Sequence, residues 1–538
     1  MKPFYITTAI IYTSGRPHIG NMLDPVLADA IARFQRLRGR DVYYLTGTDE
    51  HGQKIQRAAE TLGISPREHV DKLAAEVRRQ WDLLDTDYDQ FIRTTDPKHI
   101  AIVQKIFKKF YDNGDIYKGE YKGWYCLDCE TFYTETQAGE GNACPECKAK
   151  LTEAKEEAYF FKLSKYADRL VAHMDAHPEF IQPEFRKNEM VENFLKPGLQ
   201  DLCVSRTSFT WGVPVEFDPG HVLYVWIDAL SNYITALGYD PDGESGELYK
   251  KYWPAQVQVI GKDILRFHSI YWPIMLMALD IPLPETILAH PWVLMNDAKM
   301  SKSKGNVVYA DELVERYGVD AVRYFLLREP TLGNDASLTK DKFIGRINAD
   351  LANDLGNLLS RTVAMTDKYF GGAIPAEKSY QPIDEEIKSM AEQVAADAAG
   401  HYGKYLTSNA LTEIWKLIAR ANKYIDETTP WILGKDESQK PRLAAVLGTL
   451  CEVLRGVSVF IEPALPSSAR EIRCQLGQDE LLSWEQAMKW GNTFSVKKGD
   501  VLFPRRVLED ELKYWDGETG ALGTQPPPLC DTPSGGGF

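Results

Sequence analysis

The feature that most constrains the fold is a strand–turn–helix–strand unit that begins almost at the first residue. The β-branched and aromatic run from Phe4 to Ile11 predicts a strand. A turn from Ser14 to Gly20 follows, and apolar residues then recur at helical spacing from Leu23 to Leu37. A second strand is predicted from Val42 to Thr46. Such a unit predicts parallel strands joined by a right-handed crossover, with ligands beyond the carboxyl ends of the strands.

The rest of the chain divides into regions of different pattern. Strand-like runs at Val257–Ile260 and Ile287–Leu288 predict that the parallel sheet resumes after an interruption. The later pattern is almost wholly helical and predicts a helix bundle. We therefore predict an α/β fold, in which a Rossmann-type parallel-sheet core is split by an insertion and followed by an all-α domain. The predicted regions are 1–116 and 221–347 (core), 117–220 (insertion), 348–508 (helical domain) and 509–538 (a Gly-, Pro- and Thr-rich tail expected to be disordered).

Length and charge bound the possible functions. A chain of 538 residues is expected to hold roughly three to four domains. No apolar run reaches the length of a membrane span, and the first strand leaves no room for a leader, so we expect a cytoplasmic protein without membrane contact. The net charge of −15 argues against a nucleic-acid partner, although a local basic face can coexist with it.

Four of the eight cysteines form two close pairs. Cys126 and Cys129 make one pair, and Cys144 and Cys147 make the other. This spacing is typical of a tetrahedral Zn²⁺ site, and four protein ligands leave no open position, so the metal is predicted to be structural. Free thiols and disulfides are the alternatives, and disulfides would be unusual in a large chain without a secretion signal.

Two short motifs predict a site for phosphate. His18-Ile19-Gly20-Asn21 lies before the first helix, where free backbone N–H groups suit a phosphate and where His18 can donate to a developing charge. Lys299-Met300-Ser301-Lys302-Ser303 makes a cationic loop that can close over a polyphosphate. Each motif alone is more often an ordinary turn or a solvated basic loop. Their order and context together make a specific signal.

Together these motifs resemble the HIGH and KMSKS signatures of the class I aminoacyl-tRNA synthetases. In that family they stabilise in-line attack of an amino-acid carboxylate on the α-phosphate of ATP, with loss of pyrophosphate. Asn21 departs from the second histidine that the family often has. The resemblance implies that ATP, with Mg²⁺, is a substrate. It implies catalytic roles for His18, Asn21, Lys299 and Lys302, and ATP contacts from His18, Gly20, Asn21, Gly261, Asp263 and Lys302.

Within the family, the chain is most similar to the methionine-specific branch over residues 1 to about 505. The resemblance rests on the stretches Thr48–Gly52, Tyr224–Tyr233, Gly261–Trp272 and Pro430–Trp431. It implies activation of methionine and its transfer to tRNA(Met), with Asp49 holding the ammonium group. A thioether favours contact with aromatic rings, which suits the implied pocket. The implied side-chain pocket comprises Ile10, Tyr12, Trp226, Ala229, Leu230, Tyr233, His268 and Trp272, with Ile11 departing from an expected proline.

The resemblance also assigns anticodon reading to the helical domain. Asn357 and Arg361 are four residues apart, hence on one helix face, and Trp431 follows Pro430 at a predicted helix end. An exposed tryptophan can stack on an unpaired base. The ordinary alternatives are an interhelical hydrogen bond, a salt bridge and a core tryptophan. We expect a monomer, since no dimerisation domain is recognised after residue 505.

Two other functions remain open from the sequence. The first is another class I synthetase of the same subgroup, although isoleucyl, valyl and leucyl enzymes carry a large editing insertion that is missing between the two motifs here. The second is a catalytically idle homologue that binds tRNA. The presence of His18, Asp49, Lys299 and Lys302 argues against it.

Overall fold

Strands and helices alternate in the first part of the chain, and helices follow, over the residues that the computed structural model describes: 2–128, 130–133, 138, 140–145, 147–300 and 306–515. The strands are β1 (Phe4–Thr8), β2 (Ile11–Tyr12), β3 (Val42–Asp49), β4 (Gln90–Arg93), β5 (Ile116–Cys126), β6 (Thr131–Tyr133), β7 (Thr152–Phe161), β8 (Ile181–Gln182), β9 (Leu202–Cys203), β10 (Ser205–Arg206), β11 (Val222–Leu223), β12 (Val257–Gly261), β13 (Ile287–His290), β14 (Val293–Met295) and β15 (Ala336–Leu338). The helices are α1 (Leu23–Leu37), α2 (Gln53–Leu62), α3 (Pro66–Leu83), α4 (Pro97–Asp112), α5 (Ala167–Ala176), α6 (Glu184–Met190), α7 (Val225–Thr235), α8 (Glu247–Tyr252), α9 (Trp272–Ala278), α10 (Ala310–Tyr317), α11 (Val319–Arg328), α12 (Lys340–Arg346), α13 (Asn357–Phe370), α14 (Pro382–Gly403), α15 (Thr407–Thr428), α16 (Pro430–Leu433), α17 (Lys440–Phe460), α18 (Pro466–Leu476) and α19 (Leu508–Trp515).

A parallel sheet forms the core, with strand order β2-β3-β1-β12-β13-β8 and with β4 also paired to β3. Ile6 in the central strand β1 pairs with Tyr44 on one side and with Val257 on the other. Helix α1 connects β1 to β3 and buries its apolar face, including Val26 and Ile31, against the sheet. The predicted parallel unit is therefore confirmed.

The first strand is shorter than the sequence predicted. The run from Phe4 to Ile11 divides into β1, which ends at Thr8, and β2, which begins at Ile11. The Ala9 N–H still bonds the neighbouring strand β12, whereas β2 pairs with the far end of β3. Between β1 and β2 the chain therefore passes from one side of strand β3 to the other, at the carboxyl end of the sheet where ligands bind in such folds.

The insertion contains an antiparallel sheet with strand order β6-β5-β7-β9. Burial alternates along β5 and β7, as expected for a sheet with one face solvated. Strand β8, within the region assigned to the insertion, nevertheless pairs with β13 as an edge strand of the main sheet. This two-residue strand is too short to give a sequence signal of its own.

The helical domain follows the core, and the predicted α/β core with an all-α C-terminal region is confirmed. Contrary to the expectation from the sequence, the helix at Glu437–Phe460 is long and apolar enough to cross a membrane by length and composition alone, with a mean hydropathy of 1.7 over its most apolar window. Its apolar window is 100% buried in the structure. Burial among the other helices accounts for its composition.

The expectation of a disordered tail from residue 509 is wrong for its first part. Helix α19 runs over Leu508–Trp515 and packs against α12. Glu511 accepts hydrogen bonds from Arg316 and Tyr317, and the Trp515 indole donates to the Tyr317 hydroxyl at 2.7 Å. A tertiary contact orders this segment, which composition alone did not indicate. Residues 516–538 lie outside the described part of the chain.

Candidate active site

The carboxyl ends of the parallel strands meet at one edge of the sheet. Ile10 follows β1, Asp49 ends β3, Gly261 ends β12 and His290 ends β13. The chain leaves β1 towards β3 on one side and returns to β12 on the other, so this edge is a topological switch point where ligands bind. The structure therefore brings together residues that the resemblance assigned to methionine and to ATP, although they lie far apart in the sequence.

The turn before α1 fixes the tautomer of His18. The Gly20 N–H donates to His18 Nδ1 at 3.1 Å, so a neutral imidazole carries its proton on Nε2 and can donate from there. Asn21 Oδ1 accepts from the His18 N–H at 3.0 Å and caps the turn from within. A Cβ on Gly20 would lie 2.9 Å from His18 Cε1, so the turn closes tightly because this residue is glycine.

The structure describes only Lys299 and Met300 of the second motif. The exposed Lys299 places its Nζ 4.2 Å from the centroid of the Trp292 ring. Beyond the loop, the Val308 carbonyl accepts from the Ile19 N–H at 2.9 Å, so the chain after the second motif is tied to the first. Lys302 lies outside the described residues.

A polar rim surrounds the end of β12. The Trp292 indole donates to Asp263 Oδ1 at 3.1 Å, and Lys262 pairs with Asp335 at 2.7 Å. Lys262 Nζ also lies 4.4 Å from the Trp292 ring centroid. A Cβ on Gly261 would lie 2.6 Å from Asp263 Oδ1, so glycine leaves room for this carboxylate to fold back. Carboxylate, indole and ammonium groups of this kind suit a nucleotide.

Asp49 offers a buried carboxylate for an ammonium group. It ends β3 beside Tyr12, with which it pairs across the sheet. Among the described residues its Oδ1 has no hydrogen-bond partner. Burial, together with the charges of Asp228 and Glu130, raises the pKa of Asp49 well above its ordinary value. A bound cation would favour the ionised form again, so this carboxylate is arranged to receive one.

Aromatic side chains lie next to this edge of the sheet, and together we call them the aromatic wall: Trp226, Phe267, Tyr233 and His268. Trp226 stacks on Phe267 with ring centroids 3.8 Å apart and an interplanar angle of 4°. Tyr233 Oη lies 2.8 Å from His268 Nε2, while His268 Nδ1 lies 3.0 Å from the Ile264 carbonyl. The carbonyl can only accept, so Nδ1 carries the proton and Nε2 accepts from the tyrosine hydroxyl. Burial lowers the pKa of His268 to about 4, which keeps this histidine neutral.

The other predicted pocket residues differ in burial. Ile10 and Tyr12 are partly buried at the strand ends, whereas Ala229 and Leu230 are buried on α7. Trp272 is fully buried, and its indole donates to Gln258 Oε1 at 3.0 Å. Its ring centroid is 5.6 Å from that of Tyr233, so Trp272 packs against this tyrosine.

Sequence reasoning missed a buried acid that supports the site. Asp228 accepts from His51 Nδ1 at 2.7 Å and from His99 Nε2 at 2.8 Å, with each oxygen bound to one imidazole. Burial alone would raise the pKa of Asp228, but the charges and hydrogen bonds of the two histidines lower it to about 2. The available signal was an acidic residue on α7, a helix that is mostly apolar. The two partners, one between β3 and α2 and the other on α4, could not be read from the sequence.

The described cysteines of the predicted metal site lie together. The ligand atoms of Cys126, Cys144 and Cys147 are all within 4.8 Å of one another, while Cys129 lies outside the described residues. Cys126 Sγ and Cys147 Sγ are 3.5 Å apart, which excludes a disulfide of about 2.05 Å. Zn–S bonds of about 2.3 Å in a tetrahedron place sulfurs about 3.8 Å apart, so the arrangement fits zinc.

The three residues predicted to read the anticodon lie close together on the helical domain. Asn357 and Arg361 are on α13, and Trp431 is in the short helix α16. Trp431 is 40% exposed, so it is not a core residue. Arg361 Cζ lies 5.9 Å from the Trp431 ring centroid and its guanidinium pairs with Asp426 at 2.8 Å. The group presents an aromatic face, an amide and a cation on one surface.

A parallel sheet with a phosphate-type turn at its switch point, followed in the sequence by the lysine-rich motif that starts at Lys299, is typical of a class I aminoacyl-tRNA synthetase. The family model described as tRNA synthetases class I (M) matches residues 4–156 and 147–363. The chain is 57% identical to the methionine–tRNA ligase of Clostridium perfringens, over 95% of this chain and 79% of that protein. It is 51% identical to the methionine–tRNA ligase of Bacillus subtilis, over 96% of this chain and 80% of that protein. The chain belongs to the methionine–tRNA ligase family.

Solved structures agree with this placement. A Mycobacterium tuberculosis methionyl-tRNA synthetase in complex with methionyl-adenylate superposes with a TM-score of 0.90 at 41% identity, covering 94% of this chain and all of that one. The apo form of the same enzyme gives a TM-score of 0.82 at 38% identity, covering 94% of this chain and 99% of that one. The fold seen here is thus that of the adenylate-bound relative over nearly its whole length.

Proposed function

We propose that this protein activates methionine with ATP to form methionyl-adenylate and pyrophosphate, and then transfers methionine to tRNA(Met). The observation that carries the proposal is the Asp49 carboxylate, buried at the switch point with an oxygen that has no partner among the described residues. It lies on the same sheet edge as the His18 turn, and family membership supports the same conclusion. A cationic amino group and a nucleotide can therefore be held side by side.

In the activation step, we assign to the chain the work of positioning and charge stabilisation. Asp49 would hold the methionine ammonium, and the aromatic wall led by Trp226 and Tyr233 would enclose the thioether. His18 Nε2–H would donate to the α-phosphate oxygen on which charge grows as the methionine carboxylate attacks. Gly261 and Asp263 would meet the adenosine. The assigned ATP ligands also include Gly20 and Asn21, and Lys299 and Lys302 would stabilise the departing pyrophosphate with Mg²⁺.

We assign a structural role to the metal site. Cys126, Cys144 and Cys147 would hold Zn²⁺ together with Cys129. When bound, the ion supplies a cross-link between two turns of the insertion and takes no part in the reaction.

For the second step, we propose that Asn357, Arg361 and Trp431 contact the anticodon of tRNA(Met). Their exposure and proximity support this assignment. The domain boundaries given above, the monomeric state and the cytoplasmic location stay predictions of the sequence.

Exchange of labelled pyrophosphate into ATP tests the proposal. Each of the standard amino acids is offered in turn, and we expect exchange with methionine alone. Asp49→Asn should raise the KM for methionine strongly while the KM for ATP holds, because only the ammonium loses its ionic partner. Exchange supported by another amino acid would identify a different synthetase. No exchange with any amino acid would identify an idle homologue.

A further inference from the structure

Glu130 is next to a predicted metal ligand in the sequence but belongs neither to the metal ligands nor to the predicted pocket. It directly follows Cys129 in the sequence. Its backbone has a φ of 49°, in the left-handed region that residues other than glycine rarely adopt, and the residue is only 4% exposed. A buried carboxylate in a strained backbone persists only where its surroundings hold it firmly.

Glu130 accepts hydrogen bonds from Tyr12 of the predicted methionine pocket and from three other residues. Its Oε1 accepts from the Tyr12 hydroxyl at 3.0 Å and from the Lys54 backbone N–H at 2.9 Å. Its Oε2 accepts from the Tyr125 hydroxyl, and its backbone carbonyl accepts from the Tyr224 hydroxyl at 2.7 Å. Both carboxylate oxygens and the carbonyl of this one residue are therefore occupied.

Three of these four partners belong to elements that position the assigned methionine ligands. Tyr12 is on β2, paired with Asp49. Lys54 lies in the first turn of α2, which begins shortly after that aspartate. Tyr224 is the N-cap residue of α7, which carries Trp226. Glu130 thus hydrogen-bonds to strand β2, to the first turn of α2 and to the N-cap of the helix that carries Trp226.

Gly52 shows how closely these groups are packed. It has a φ of +127°, and a Cβ there would lie 2.5 Å from Tyr12 Oη and 2.9 Å from Glu130 Oε1. A side chain at this position would push the tyrosine and the carboxylate apart. The backbone between Asp49 and Lys54 therefore approaches the Tyr12–Glu130 hydrogen bond as closely as a glycine permits.

We propose that Glu130 is a positioning residue for methionine. It fixes Tyr12 and the start of α2, and it thereby couples the order of the cysteine metal site to the methionine pocket. The inference rests on the proposed function and on the metal assignment above. Glu130 acts through Tyr12 and the backbone after Asp49, and among the described residues none of its hydrogen bonds goes to the His18 turn, Gly261 or Asp263. Its loss should therefore weaken the binding of methionine and spare that of ATP.

The first test separates the two substrates. In Glu130→Ala, we expect the Kd for methionine, measured by calorimetry without ATP, to rise about 10- to 100-fold, the range for one lost hydrogen bond to a charged group. The KM for ATP should stay within about twofold of the parent, because its assigned ligands are not held by Glu130. Glu130→Gln keeps one carboxylate-like oxygen for Tyr12 and should restore most of the affinity. The matched control is Glu153→Ala, which removes an exposed acid from β7 of the same insertion and should bind methionine as the parent does.

The second test concerns the coupling to the metal. Removal of zinc by a chelator, checked by elemental analysis, should raise the methionine Kd of the parent. The same treatment should change the Kd of Glu130→Ala by less than about twofold, since the connection is already broken. Equal effects of the chelator in both proteins would overturn the coupling.

A milder variant distinguishes a loss of methionine binding from a loss of folding. If Glu130→Ala melts early or loses its zinc, the proposal is tested with Tyr125→Phe instead. This variant removes only the hydroxyl that donates to the Glu130 carboxylate. We expect a rise of about threefold in the methionine Kd with normal zinc content. Parental affinity in Tyr125→Phe, or in a folded Glu130→Ala, overturns the proposal. Failure of the parent itself to exchange pyrophosphate with methionine would instead defeat the proposed function.

Discussion

At the scale of single residues, the exposure of Trp431 gives a sharp test of anticodon contact. The side chain is 40% exposed, so truncation should cost little stability. If Trp431 stacks on a base, Trp431→Ala should lose about 1–3 kcal/mol of interaction with tRNA. The melting temperature and pyrophosphate exchange should hold, since activation needs only methionine and ATP. All three are measured on one sample, and aminoacylation at the parental rate would remove Trp431 from tRNA recognition.

His268 predicts a pH dependence of stability. Burial lowers the pKa of His268 to about 4 from an ordinary value of 6.5. Between these values the unfolded chain binds a proton that the folded chain does not, so stability falls as the pH drops from 6.5 towards 4. The loss due to this residue should be roughly 2 kcal/mol between pH 7.5 and pH 5.

The comparison variant for this prediction is His268→Gln, which can still accept from the Tyr233 hydroxyl. Thermal melts at pH 7.5 and pH 5 should show a smaller decrease in melting temperature for His268→Gln than for the parent. Identical decreases in the two proteins would mean that another group causes the pH dependence.

At the scale of elements, the two cysteine turns predict a metal stoichiometry. Protein expressed in metal-replete medium should contain about one Zn²⁺ per chain, from a single four-cysteine site. Cys144→Ser should lose the metal and loosen the insertion, because the ion contributes to folding there. Cys474→Ser, which changes an exposed cysteine of α18, should keep its zinc. Elemental analysis without zinc in the parent would contradict the assignment.

Some strands and helices were predicted accurately from the sequence, whereas others were missed. Helix α1 and strand β3 were predicted close to their observed bounds, because their apolar periodicity is strong and local. Strand β8 and helix α19 were not predicted from the sequence, because each is ordered by contacts with elements that are distant in the chain. Short elements of this kind carry too few residues for a periodic signal.

At the scale of the whole molecule, Arg323 joins the catalytic core to the helical domain. This fully buried residue of α11 donates to Asp29 of α1 at 2.6 Å and to the Leu84 carbonyl at 2.9 Å. It also donates to the carbonyls of Pro463 and Ala464, between α17 and α18, at 3.0 Å each. One guanidinium therefore satisfies acceptors from both halves of the protein.

Arg323→Ala should be strongly destabilising because it leaves the buried Asp29 carboxylate without this partner. We expect a loss of about 3–5 kcal/mol, seen as a marked decrease in melting temperature. Arg67→Ala removes an exposed ion pair with Asp71 and should cost less than about 1 kcal/mol. Similar melting temperatures for the two variants would show that the Arg323 contacts do not hold the two halves together.

The sequence by itself determined what is carried by neighbouring residues. Local spacing specifies the strand–turn–helix unit and the two cysteine pairs, whereas the motifs around His18 and Lys299 carry their signal through their order along the chain. Only the tertiary structure decided which distant groups meet. Asp228 bonds His51 and His99, and Glu130 bonds Tyr12, across separations that no local pattern encodes. Such contacts follow from how the sheet, the insertion and the helices pack, and packing depends on the whole chain at once.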